Sequence, residues 1–202
     1  MQVMGQWVED VPEYAIALAR DYWPGPMTLI FKRSTLAQDF ITGGQNTVGI
    51  RVPDHVVALA LLEAFHTLGG RGVAAPSANR FGHVSPTTAQ AVSDELSEYL
   101  RPEDHILDGG PCTVGVESTI IDCTGDQPTI LRNGAVTKEG IEVELGIRCR
   151  ENNEYSNIKF SGSFEKHYAP KCKVVISPST IEGAGFLALY DVETPPGMSR
   201  LA

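Results

Sequence analysis

The stretch from Thr47 to Val52 constrains this chain more than any other: Val48, Ile50 and Val52 take one side of an extended strand, while Thr47, Gly49 and Arg51 take the other. A strand with one continuous apolar face has to be paired into a sheet and pressed onto a core. The opposite face is polar and nearly flat. A glycine between a hydroxyl and a guanidinium leaves room for a ligand to approach the backbone, although an ordinary solvated sheet surface reads the same way.

The segments around this strand alternate between helical and extended patterns. Asp10 is placed to cap a helix with Pro12 in its first turn, and Ala15, Leu18, Ala19 and Tyr22 follow as one buried stripe. Trp23-Pro24-Gly25-Pro26 stops that helix, and Met27 to Arg33 reads as a strand. Pro53-Asp54 opens a second helix carrying Val57, Leu61, Leu62 and Phe65, which Gly69-Gly70 closes. Val73 to Ala75 reads as a short buried strand, and Ser85 with Pro86 as the start of a helix carrying Ala89, Val92, Leu96 and Tyr99. Further strands are predicted at His105 to Leu107, Val114 to Asp122 and Pro128 to Arg132, followed by a turn at Asn133-Gly134 and a small helix capped by Thr137. This order predicts an α/β or α+β fold, an open twisted mixed sheet with covering helices. Residues 1–149 form the expected main domain. From Arg150 the texture becomes polar and irregular, so 150–172 is expected to be a linker or lid. Residues 173–202, with predicted strands at Lys173–Ile176 and Phe186–Tyr190, read as the start of a further domain.

Charge narrows the function. With 16 Lys and Arg against 25 Asp and Glu, the formal charge is -9, which is wrong for a protein that holds nucleic acid by bulk positive charge. Phosphate chemistry would have to rest on a few basic side chains gathered in one place. Cys112, Cys123, Cys149 and Cys172 form no close pair and have no histidine cluster beside them, so free thiols in a reducing compartment are expected. The opening residues resemble no secretory signal and no stretch has the length of a membrane span, so a cytoplasmic protein is expected.

Three groups of residues are equipped for chemistry. Ala75-Pro76-Ser77-Ala78-Asn79 and Ser85 offer neutral donors suited to a phosphate or ribose, though a turn followed by an ordinary cap has the same composition. The loop from Gly109 to Thr119 is rich in glycine and leads to Ser118, but it matches neither a nucleotide-loop pattern nor a serine-hydrolase elbow, and a plain hairpin reads equally well. Arg51 and Arg132 each end a predicted strand, where a guanidinium can grip carboxylate or phosphate in two places at once. His167 and Tyr168 lie in the linker and could serve a lid. Asp94, Glu95 and Glu98 read as a solvated helix face.

Taken in order, the strings WPGPMTLIF, TVGIRVPDH, APSANRFGHVSPTTA, LDGGPCTVGVESTIID, ILRNGAVT and FEKHYAP closely resemble the YrdC-like threonylcarbamoyl-AMP synthase family in its two-domain form, from about Val8 to Pro170. The resemblance implies a YrdC-like sheet around a positively lined cavity. It implies an enzyme that joins L-threonine, bicarbonate or carbon dioxide, and ATP into threonylcarbamoyl-AMP, with pyrophosphate released and the product used to modify tRNA. Magnesium would accompany the ATP. By matching motif, Thr47, Ser77, Ser85 and Arg132 would contact ATP, Asn79 would support the nucleotide side, and His167 or Tyr168 would close over it. Arg51, Ala75 and Ser118 would hold threonine, Arg51 pairing with its carboxylate.

The family's N-terminal portion, with a threonine-binding turn and a basic motif that grips phosphates, is expected to precede this chain, and its Rossmann-like second domain to be cut short. A homodimer through an exposed sheet edge is one expected consequence. A binding module for tRNA, double-stranded RNA or ribosomes is the alternative from another class, with tRNA or tRNA-modification proteins as partners, and carbamoyl-adenylate handling in hydrogenase maturation is a third reading on the same fold.

Overall fold

The computed structural model describes residues 4–151, 158–160, 173–176, 181–188 and 191–201. The chain divides into two compact units, Met1–Tyr168 and Ala169–Ala202.

The larger unit is organised by β2, Met27–Arg33, whose residues Met27, Leu29 and Phe31 are fully buried on one face. On one flank it pairs antiparallel with β3, Thr47–Ile50, in the register Leu29 to Ile50 and Lys32 to Thr47. It also runs parallel to β4, Thr119–Asp122, and antiparallel to the short β1, Val8–Glu9. The sheet continues through β5, Thr129–Arg132, to β6, Arg150–Glu151. It is therefore mixed, as the alternation of elements predicts.

Both faces are apolar, but unequally. On the first, Met27, Leu29, Phe31, Ile121, Cys123 and Ile130 pack with Ala15, Leu18 and Ala19 of α1, Glu13–Tyr22, and Ile141 of α5, Lys138–Leu145. Burial of side chains this size contributes about 2 kcal/mol each, so this face carries most of the unit's stability. On the second, Ile30, Ile120 and Leu131 meet partly buried Ile158 and Phe160. Much of this second face is left for a polar cluster at one end of β2.

From Gly43 to Glu117 no residue is buried. This span holds α3, Val56–Thr67, in which Glu63, His66 and Thr67 are the polar residues, yet Val56, Leu61 and Phe65 are 75%, 53% and 40% exposed. A helix this apolar is ordinarily packed on most of its circumference. The span also contains α4, Ala89–Leu96, and the chain has a single-turn helix α2, Asp39–Thr42, just before it.

Several local expectations change for identifiable reasons. Asp10 does not cap α1. Its backbone takes φ of 50°, a left-handed conformation that Asp tolerates, and its carboxylate accepts from Lys32 Nζ at 3.1 Å while Pro12 occupies the cap position. Ser85 does not cap α4 either; Thr88 does, its hydroxyl accepting from the Ala91 amide at 3.1 Å. Val73–Ala75 and His105–Leu107 form no strand, and Val73 is 55% exposed, because a short apolar run becomes a strand only where a neighbouring edge and a covering layer receive it. Val114–Val116 likewise stay outside β4, which begins at Thr119. Glu95 is a brace rather than a solvated charge: it accepts from the Arg80 amide at 3.2 Å and pairs with His83 Nδ1 at 2.7 Å.

In the smaller unit Gly185–Phe186 (β7) pairs parallel with Ser199–Arg200 (β8), and Arg200 donates to the carbonyls of Val192 and Ala188. Lys173–Ile176 is not a strand, and no described residue of this unit is buried.

Cys112, Cys123 and Cys149 are free thiols, as expected; Cys172 lies outside the described residues. Burial pushes the Cys149 thiol up to about 11 and the Cys123 thiol higher still. Burial, with the hydrogen bond Tyr22 donates to Glu144 at 2.5 Å, raises the Tyr22 phenol to about 12. All three groups hold their protons more tightly folded than unfolded. Their stabilisation is therefore complete below the ordinary thiol range and is lost as pH rises through about 9 to 12. Melting temperature should be flat from pH 7 to 8 and fall steadily above pH 9. A flat profile up to pH 11 would contradict this packing.

Candidate functional site

The polar cluster begins with the alternation in β3. A side chain added at Gly49 would point at Thr28 Cγ2 and Ile30 Cγ1, so Gly49 faces the second side of the sheet, and Thr47 shares that side by the strand's two-residue period. Arg51, one residue past the strand's end, donates from Nε to the Gly25 carbonyl at 2.9 Å. Across β2, Thr28 Oγ1 and Ser118 Oγ are 2.8 Å apart. Arg51 and Ser118 thus flank the same end of β2. Thr47 pairs with Lys32 towards its other end, about 13 Å from Arg51 by strand rise.

Glu117 joins the remaining residues. Its carboxylate forms an ion pair with Arg132 Nη1, and both side chains are 15% exposed. Glu117 Oε1 accepts from Ser85 Oγ at 2.7 Å and, weakly, from Ser77 Oγ at 3.5 Å. Ser85 also lies 3.4 Å from Asn79 Oδ1, while the Asn79 amide donates to the carbonyls of Arg80 and His83. Arg132 further donates from Nε and Nη2 to the Ser118 carbonyl, and from Nη2 to Ser118 Oγ at 3.0 Å. Five predicted residues, Ser77, Asn79, Ser85, Ser118 and Arg132, are therefore linked into one network. Ala75 is exposed on the loop that carries Ser77 and Asn79, Thr47 lies at a distance on the same face, and His167 and Tyr168 fall outside the described residues.

Sequence reasoning passed over the hub of this network. Glu117 was within view, as an acidic residue directly preceding Ser118 at the mouth of a buried strand. It also passed over Gly134, where a Cβ would stand 2.4 Å from both the Glu117 carbonyl oxygen and the Thr119 amide nitrogen. The missing side chain is what lets the Asn133-Gly134 turn close onto the segment that presents Glu117 and Ser118. A surface hollow of about 670 Å³ lies elsewhere, lined by Glu9, Arg33, Ser34, Thr35, Gln38, Asp39 and Phe40, and contains no predicted site residue. Among the described residues no group of three or more His, Cys, Asp or Glu side chains stands together, and no helix is long and apolar enough to cross a membrane.

The class this defines is an open, mixed α/β sheet with a hydroxyl and guanidinium cluster at one sheet end. The chain belongs to the Sua5/YciO/YrdC family, described as "Telomere recombination", whose sequence profile matches residues 1–134. It is 40% identical over 172 residues to a threonylcarbamoyl-AMP synthase of Pyrococcus abyssi, covering 83% of this chain and 48% of that protein. Identity is also 40% over 178 residues to the Bacillus subtilis threonylcarbamoyl-AMP synthase, covering 85% and 49%. The structure of P. abyssi Sua5 complexed with L-threonine superposes with a TM-score of 0.72 at 33% identity, covering 94% of this chain and 52% of that one. The chain thus spans about half the length of the curated relatives it matches.

Proposed function

We propose that this chain is the synthase domain of a threonylcarbamoyl-AMP synthase, acting on L-threonine, bicarbonate or carbon dioxide, and ATP, and serving tRNA modification. The observation that carries this reading is the joining of Ser77, Ser85 and Arg132 around one carboxylate, with Ser118 held by the same guanidinium and Arg51 on the opposite flank of the same strand end. Support comes also from the relatives named threonylcarbamoyl-AMP synthase and from the likeness to Sua5 complexed with L-threonine.

In this reading Arg51 pairs with the threonine carboxylate, and Ser118, held by Thr28 and Arg132, faces the threonine side together with Ala75. Ser77, Ser85 and Arg132 take the nucleotide, with Asn79 holding their loop, Thr47 at the edge of the face and His167 or Tyr168 closing over it. The threonine amine takes up carbon dioxide as a carbamate. A carbamate oxygen then attacks the α-phosphorus, and the bond to the β-phosphate breaks to release pyrophosphate. Such a step depends on in-line placement and charge stabilisation more than on a protein nucleophile. The cluster's carboxylate is engaged by Arg132 and Ser85, so these residues form no cage for magnesium, which would arrive on the triphosphate with its waters.

Calorimetry of this chain against L-threonine and ATP tests the reading. Heat from each, with the ATP affinity falling as salt rises, is expected; no heat from either overturns it. The same chain titrated with tRNA separates the alternative, for which affinity should fall steeply with salt. Pairing of two copies along β3 is a further proposal, motivated by that strand having β2 as its one strand partner among the described residues, and light scattering of the same sample would show it.

A further inference from the structure

We propose that the Glu117 carboxylate is a resident stand-in for phosphate: in the empty protein it occupies the anion seat made by Arg132, Ser85 and Ser77, and the nucleotide's phosphate replaces it there. This rests on the assignment of those three residues to ATP, and adds to it the competitor that any phosphate must displace.

The seat is recognisable by its donors. Arg132 brings a guanidinium, a group that only donates, and Ser85 and Ser77 both aim their hydroxyls at Glu117 Oε1, at 2.7 and 3.5 Å, while Arg132 Nη1 meets Oε2. A carboxylate and a phosphate present the same feature to such a set, paired oxygens sharing negative charge, and a guanidinium fork serves either. The two cannot share the seat. Like charges within about 4 Å in a site this shielded repel strongly, and the Arg132 charge would be divided between them. Glu117 has somewhere to go: it closes the span that begins at Gly43, in which no residue is buried, just before the chain enters β4. Arg132 meanwhile stays anchored by its bonds to the Ser118 carbonyl, so the seat persists when the carboxylate leaves.

Exchange of one anion for another has a consequence for selectivity. A ligand gains from the seat only by the charge it brings beyond the carboxylate it expels, so polyanions are favoured and neutral nucleosides are indifferent to residue 117.

Titration calorimetry of the full chain and its Glu117→Gln variant with ATP, adenosine and L-threonine tests this. Glutamine keeps an acceptor for Ser85 but removes the charge, so ATP should bind about tenfold tighter to the variant, with adenosine and L-threonine unchanged. A merely structural role would not produce a gain that depends on ligand charge. In the unmodified protein the ¹³Cδ signal of Glu117 should move towards that of exposed glutamates on addition of ATP and stay fixed with adenosine, which keeps the test independent of the variant's folding. ATP binding that is unchanged or weaker in the variant, or a Glu117 signal unmoved by bound ATP, overturns the stand-in role alone. Absence of ATP heat from both proteins takes away the nucleotide assignment, and the stand-in role with it.

Discussion

Arg132→Met should abolish measurable ATP binding and lower unfolding stability by about 3 kcal/mol, because it leaves the Glu117 carboxylate, 15% exposed, without its cation. The loss is not confined to the ion pair. Arg132 also satisfies the Ser118 carbonyl twice and its hydroxyl once, so the variant loosens the β4 entrance as well. Arg132→Lys restores the charge but not the fork, and should recover a minor part of both losses. The double variant Arg132→Met with Glu117→Gln should be more stable than Arg132→Met alone, since the isolated charge is gone. Urea unfolding of the three variants beside calorimetry decides the matter. A single variant as stable as the parent would show that the pair is solvated and that the network described here does not hold the segment.

Gly134→Ala should be similarly damaging, by about 3 kcal/mol, although it adds one methyl group. The added carbon would sit 2.4 Å from the Glu117 carbonyl oxygen and the Thr119 amide nitrogen and 2.6 Å from the Ser118 carbonyl carbon. All three are backbone atoms of the segment entering β4, so no flexible side chain can yield and the turn or the strand must shift. Since Thr119 Oγ1 donates to the Val136 carbonyl at 2.6 Å and accepts from the Val136 amide at 3.1 Å, the displacement would break this clasp as well as move Ser118. L-threonine binding should fall together with the melting temperature. Unchanged melting with unchanged threonine heat would refute this close approach.

What could be read from the residues alone was chiefly what local rules decide. The stripe of α1, the whole of β2, the shared face of Thr47 and Gly49, and the Thr137 cap of α5, whose Oγ1 accepts from the Gly140 amide at 3.1 Å, are present. Each depends on periodicity or on a side chain meeting its own neighbouring backbone. The failures share a different cause. Val73–Ala75 and His105–Leu107 have strand composition but no described strand to pair with, and Ser85 has the chemistry of a cap but lies ahead of the helix that Thr88 caps and donates instead to Glu117, 32 residues away in the chain.

The candidate site divides along the same line. Residue type and spacing named Ser77, Asn79, Ser85, Ser118 and Arg132, and the ordered motifs pointed to the family that the profile match over residues 1–134 bears out. Nothing in the order of residues put Glu117 between them or called for the bare Cα of Gly134.

The amino-acid sequence determined by itself which stretches are apolar on one side, where the polar flat face of β3 falls and which side chains carry chemistry, since these follow from near-neighbour geometry. Only the tertiary structure decided which strands found partners, and that the donors of two distant loops meet on one carboxylate. A half-buried charge selects its partners through space, where a fixed spacing along the chain leaves no trace.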